Sequence, residues 1–345
     1  MAGLNDMLAN TPPEETFEAS LLREAIGARV WPLLSPSRAR APGCRALTLR
    51  RAAARASGLG ERVVVPVERM RWSKVRDALR PTQAALGFDW VFYKLKNFTS
   101  ADAAQKYMDT KPVPYVLRNG KLYIVDHHHT LVALDLFARN TGADPFVTME
   151  QIRSFDSAGD GASLSTAAFW GFMEGKGWAF LRDASYNRTP VEALPQDLQL
   201  ASFRNDVFRS AGGFARVFGA LKRGKELSDM LFFEFRWGYL FWLHRNDGFG
   251  LWPDKRLLRA FQRHVALIGE IDAEEYAEEV AVGSLAVKDA IFLSTHIIEP
   301  AYQNLTLYLR ALCIAYDDQK GPAKEVLGLR AIFGSDELPG KVIRP

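Results

Sequence analysis

The chain has 345 residues, a net charge of +4, and 48% hydrophobic against 24% charged residues, a balance typical of globular chains that fold without disulfide or metal staples. No apolar run approaches the roughly 18 residues of a spanning helix, so no membrane association is expected. Met1 to Phe17 has neither the basic start nor the apolar core of a secretory leader, and Cys44 and Cys313 lie far apart with no CxxC pair, which together suit a reducing cytoplasm.

Three regions follow in chain order: an N-terminal arm over 1–60, a small α/β domain over 61–149, and a mainly helical region over 150–345 that completes or covers the site. The fold class expected is therefore α+β. In the arm, Pro12, Pro13, Pro32, Pro36 and Pro42 break the chain, with one helix expected from Glu14 to Ala28. Between residues 38 and 62 the charged side chains are Arg38, Arg40, Arg45, Arg50, Arg51, Arg55 and Arg62 against Glu61 alone. This segment reads first as a solvated arm and second as a contact for DNA phosphates.

In the central domain, Val63 to Val67 reads as a strand closed by Pro66. A helix is expected through Val91, Lys94, Leu95 and Phe98, and Ser100 is placed to cap the next one. Val113–Leu117 and Leu122–Val125 flank Asn119-Gly120, a pair that accepts the positive φ angles of a type I′ turn, so a hairpin is expected. Its second strand runs into Asp126-His127-His128-His129-Thr130, followed by Leu131, Leu134, Phe137 and Ala138 at helical spacing. This predicts Asp126 as a helix N-cap with the histidines in an exposed first turn. First-turn N–H groups lack intrahelical partners, the helix dipole is positive there, and imidazoles add charge when protonated. Such a helix start is a ready phosphate site, and Asp126 could hold a divalent ion beside it.

Beyond residue 150, Ser165 is placed to cap a helix with an aromatic face. Gly212-Gly213 signals a turn or a close backbone approach. The aromatic cluster from Phe232 to Trp242 reads as a buried helix rather than a base-stacking platform, with Glu234 and His244 as its pocket-lining or buried polar groups.

Val65-Pro-Val-Glu-Arg-Met70, Leu79-Arg-Pro-Thr-Gln83, Gly87, Val91, Lys94 and Leu122-Tyr-Ile-Val-Asp-His-His-His129 resemble the putative ParB-like nuclease family of the ParB/sulfiredoxin superfamily. The resemblance extends weakly through Phe208–Gly213 and Phe233–Trp237. It implies a pocket for ATP, ADP or CTP, with Mg2+ as the accompanying cofactor. It also implies Asp126 as a metal or hydroxyl-activating carboxylate and His128 and His129 as catalytic or phosphate contacts. Arg80, Thr82, Gln83, Lys94, His127 and Thr130 would complete the phosphate-binding set. In the superfamily's serine kinases the matching helix start has glycine where this chain has His127 and arginine where it has Thr130. A catalytic glutamate of those kinases corresponds to Gln83, and a glutamine cannot act as a general base. Neither cysteine lies in these motifs, so sulfiredoxin chemistry is not expected.

Three classes of function remain open on sequence. The first is a phosphoryl-transfer or nucleotide-hydrolysing enzyme acting on a nucleotide or phosphorylated small molecule. The second is a metal-dependent nuclease, and the third a nucleotide-gated binding protein without chemistry.

Overall fold

The computed structural model describes residues 66–156, 164–222, 231–246, 250–252, 254–263, 287–319, 328–333, 338 and 340–344. All of these belong to the unit Val63–Pro345. The expected helix Glu14–Ala28, the Arg-rich segment 38–62, Cys44 and Val63–Val65 lie outside the described residues.

In chain order the elements are β1 (Val67–Arg71), β2 (Leu79–Arg80), β3 (Ala85–Leu86), α1 (Phe88–Leu95), α2 (Ala101–Met108), β4 (Val113–Arg118), β5 (Lys121–Ile124), α3 (His128–Thr141) and β6 (Phe146–Ser154). They are followed by α4 (Thr166–Gly175), β7 (Arg204–Asn205), α5 (Val207–Val217), β8 (Leu221–Lys222), α6 (Phe233–Leu243), α7 (Val287–Leu293), α8 (Glu299–Asp317) and β9 (Lys341–Val342). The architecture is α+β, built on a five-stranded mixed sheet of order β1-β6-β4-β5-β2.

The hairpin forms as expected. Asn119 and Gly120 both have positive φ, 52° and 66°, and the register runs from Tyr115 opposite Ile124 to Arg118 opposite Lys121. Of the expected strand Val63–Val67 only Pro66 and Val67 are described: Pro66, which lacks the N–H that a ladder needs, is not in a strand, and β1 runs from Val67 through Arg71 along the sheet edge. The boundary expected at 149 falls inside β6, which continues to Ser154 because it pairs with β1 on one side and β4 on the other.

Alternation along the strands sends side chains to two apolar layers. Val113 and Tyr115 of β4 and Ile124 of β5 join the larger layer, while Val116 and Val125 join the smaller. The larger layer holds α1 and α3, which pack on each other. The smaller is closed by Phe169, Trp170 and Met173 of α4, capped by Ser165, which accepts from the Ala168 N–H at 3.2 Å. Ser100 caps α2 in the same way, 3.1 Å from the Ala103 N–H.

The helical C-terminal region shares the larger core. The short β3 pairs in parallel with β7, and this delivers α5 to the flank of α1. In turn α6 and α8 pack on α5, and α7 packs on α1. Most aromatics of α6 are buried, with Phe233, Phe235, Trp237 and Phe241 each 2% exposed or less and Trp242 half-buried against them. That agrees with the core reading of this cluster.

Candidate functional site

A cavity of about 210 Å³ opens at the start of α3. Its wall carries four cations, Lys94 from α1, Lys111 from the loop before β4, and Arg209 and Arg216 from α5, against two carboxylates, Asp126 and Glu234. With the histidines neutral, four positive minus two negative charges leave the cavity at +2.

The start of α3 differs from expectation. The N-cap is His127, not Asp126: His127 has φ 68° and ψ 14°, left-handed, and its side chain makes no capping bond. Asp126 instead accepts the His127 N–H at 2.6 Å. A left-handed backbone favours glycine, the residue that the resembling kinases carry at this position. His128 and His129 are not exposed either, at 2% and 7%. His128 Nε2 accepts the Thr82 N–H at 3.1 Å, and His129 Nε2 accepts the Gly87 N–H at 3.1 Å. The Thr82 hydroxyl donates to the Ile124 carbonyl at 2.8 Å. The Leu79–Gln83 and Asp126–His129 motifs are thus tied to each other through hydrogen bonds.

Burial holds both rings neutral. It lowers His128 to about 3 and His129 well below its ordinary value, with cationic Arg209 lowering both further. The protonated imidazoles anticipated from the sequence are therefore replaced by neutral rings whose Nε2 atoms anchor the neighbouring loop. His127 is lowered as well, again chiefly by burial.

Of the other expected residues, Gln83, Lys94, His127 and Thr130 line the cavity. The Gln83 amide donates to the Ala85 carbonyl at 2.8 Å. Thr82 is fully buried behind the wall. Arg80 points elsewhere: its Nη1 donates to the carbonyls of Leu79 and Asp77, and it borders a separate hollow with Trp170 and Pro195. The two-residue β2 lies at the sheet edge, which turns Arg80 away from the helix start. His244 is fully buried and outside the cavity wall.

Lys94 Nζ lies 4.9 Å over the Trp90 ring and 3.5 Å from the Tyr107 hydroxyl. Burial, with Lys111, Arg216 and Arg209 nearby, lowers it to about 8. Arg209 is 6% exposed, between Trp90 and Phe235 at 5.9 and 5.4 Å from the ring centres. Glu234 bridges the α5 pair, 3.0 Å from Arg216 and 3.7 Å from Arg209. Even so, Nε and Nη1 of Arg209 and Nε of Arg216 are buried without a hydrogen-bond partner.

The local fold explains why these groups converge. Arg209 and Arg216 stand seven residues apart, two turns along one helix face. Between them Gly212 and Gly213 admit their neighbours: an added Cβ would come 2.5 Å from the Glu234 carbonyl oxygen or 2.8 Å from the Trp90 ring. The close approach expected of this pair is present, but inside a helix rather than at a turn. Neither arginine was among the candidate site residues. Their seven-residue spacing around the glycines was the available signal.

Among the described residues, no group of three or more His, Cys, Asp or Glu side chains is placed to hold a metal ion. None of the described helices is long and apolar enough to cross a membrane.

Residues 74–243 match the family described as putative ParB-like nuclease, the family that the two sequence motifs resemble. No curated protein matches the chain. Among solved structures, protein Atu1540 from Agrobacterium tumefaciens is similar at 23% identity and a TM-score of 0.42, over 62% of this chain and 94% of that one.

Proposed function

We propose that this ParB-like protein binds the phosphate groups of a nucleotide or phosphorylated small molecule in the cavity at the start of α3, and that it acts there in phosphoryl transfer or nucleotide hydrolysis. The observation that carries the reading is the set of buried, unpartnered N–H donors on Arg209 and Arg216. Leaving a buried charged donor unsatisfied is costly, and an anion in the cavity would satisfy it. Lys94, Lys111 and the positive end of α3 add to the same attraction. Charge developing on a transferred phosphoryl group is stabilised by such fixed cations.

Asp126 is exposed at the rim and is the carboxylate that would meet a Mg2+ ion arriving with the phosphates. Mg2+ needs only one or two protein carboxylates when phosphate oxygens supply the rest, and this fits a wall with no dedicated metal cluster. When bound, the ion would neutralise phosphate charge. Asp126 is also the carboxylate able to accept a proton from an attacking hydroxyl or water. His128 and His129 act in this reading as anchors of the Thr82–Gly87 loop.

The test is calorimetric titration of ATP, ADP and CTP, with and without Mg2+, into wild type, Lys94→Met and Asp126→Ala. The reading requires binding that weakens in Lys94→Met and a Mg2+ dependence that is lost in Asp126→Ala. If no phosphate compound binds the wild type, the reading fails. Nicking of plasmid DNA at the same concentrations, lost in Asp126→Ala, would instead favour the nuclease activity in the family's description.

A further inference from the structure

More buried polar groups gather at the N-terminal end of α5. Asp206 is 1% exposed, and its Oδ1 caps α5 by accepting the Arg209 backbone N–H at 2.8 Å. Its carboxyl faces the buried Tyr186 hydroxyl, whose hydrogen bond favours the carboxylate. Tyr186 reaches this place only because residue 238 is glycine, since a Cβ there would come 2.5 Å from the hydroxyl. Tyr186 itself holds a left-handed backbone, φ 63°.

We propose that Asp206 and Tyr186 are positioning groups for Arg209, and that binding of an anion in the cavity is coupled to uptake of a proton by Asp206. This rests on the cavity being an anion site. The carboxyl and the guanidinium belong to one short stretch of α5, so whatever changes the charge at one is felt at the other through a dry interior.

The groups around Asp206 are few. From α5 it faces Arg209, from the preceding loop Tyr186, and from α6 it feels Glu234 through Arg209 and Tyr239 through Tyr186. Burial outweighs the cap hydrogen bonds, Arg209 and the Tyr186 hydroxyl and raises the carboxyl to about 7, so its protonation changes near neutrality. A bound anion offsets the positive field of Arg209, which had favoured the carboxylate. The proton affinity of Asp206 then rises, and binding is tighter on the acid side of neutrality.

Sulfate is a suitable probe because its own charge is constant from pH 6 to 8. Its titration into wild type at pH 7, in buffers of different ionisation enthalpy, is expected to show proton uptake. Affinity is expected to fall by up to about tenfold between pH 6 and pH 8. Asp206→Asn keeps an N-capping side chain, and in it the uptake centred near pH 7 should vanish while the contribution of Lys94 nearer pH 8 persists. Tyr186→Phe, which retains the carboxyl, should move the midpoint upward, and it decides the matter if Asp206→Asn fails to fold. Equal proton uptake in wild type and Asp206→Asn, or an unmoved midpoint in Tyr186→Phe, overturns the coupling and leaves the anion site standing. If neither sulfate nor any phosphate compound binds the wild type, the functional reading and the coupling fall together.

Discussion

Replacing His128 with alanine separates an anchoring role from a catalytic one. The imidazole is 2% exposed, and its Nε2 accepts the Thr82 N–H. Removing it orphans that buried donor, which costs about 1–3 kcal/mol. It also leaves a cavity where a ring was, with a cost of similar size. The sum, about 2–6 kcal/mol, corresponds to a fall in Tm of about 10 °C for a domain of this size. Thermal and urea unfolding followed by circular dichroism at pH 7.5 measures it. His128→Asn, whose side-chain oxygen can still accept a hydrogen bond, should recover part of the loss. A His128→Ala protein that melts within about 2 °C of wild type would refute the anchoring account and return the residue to the list of catalytic candidates. The pH dependence follows from the same contact. His128 has its folded pKa lowered to about 3, so the unfolded chain takes up the proton first. Its contribution to stability is complete above the ordinary histidine value and is lost as pH falls from about 6.5 toward 3. Wild type should lose this stability in acid, and His128→Asn should lose less.

Other substitutions probe other parts of the account. Asp206→Asn should flatten the decline in stability between pH 4 and 7, because a buried carboxyl raised to about 7 favours the folded state only while it holds its proton; urea titrations across that range read the slope. Lys94→Met should weaken nucleotide binding about ten- to hundredfold, the scale of a charged hydrogen bond, with no loss of Tm, as measured by calorimetry and melting. Gly212→Ala should destabilise by more than the ~1 kcal/mol that alanine ordinarily gains over glycine in a helix, since its Cβ would meet the Glu234 carbonyl oxygen; an unchanged or higher Tm would contradict the tight α5–α6 approach. His127→Gly should relieve the left-handed backbone at φ 68° and raise stability by up to about 1 kcal/mol.

Elements set by local rules were legible in the sequence. The hairpin follows from Asn119-Gly120, the α2 and α4 caps from Ser100 and Ser165, and the burial of α6 from its aromatics. Gln83, Lys94, Asp126 and the histidines were legible as neighbours of one pocket because the family resemblance brings two distant motifs together. What could not be read was the direction of individual side chains. His128 and His129 look like an exposed cationic cluster in sequence, yet the helix start is buried under the Thr82–Gly87 loop, and desolvation makes them neutral acceptors. Arg80 sits inside the same motif as Gln83 but on an edge strand that faces away. Arg209 and Arg216 were hidden for the opposite reason: they come from a helix more than 80 residues after Asp126, delivered by the small β3–β7 pairing, and no local pattern announces a pairing of two residues.

The most direct measurement is a crystal structure of the protein with whichever of ATP, ADP or CTP binds most tightly, in the presence of Mg2+. Phosphate density is expected within hydrogen-bond distance of Arg209 and Arg216, with Lys94 and the start of α3 beside it. A nucleotide bound elsewhere, with the donors of both arginines still unpartnered, would contradict it.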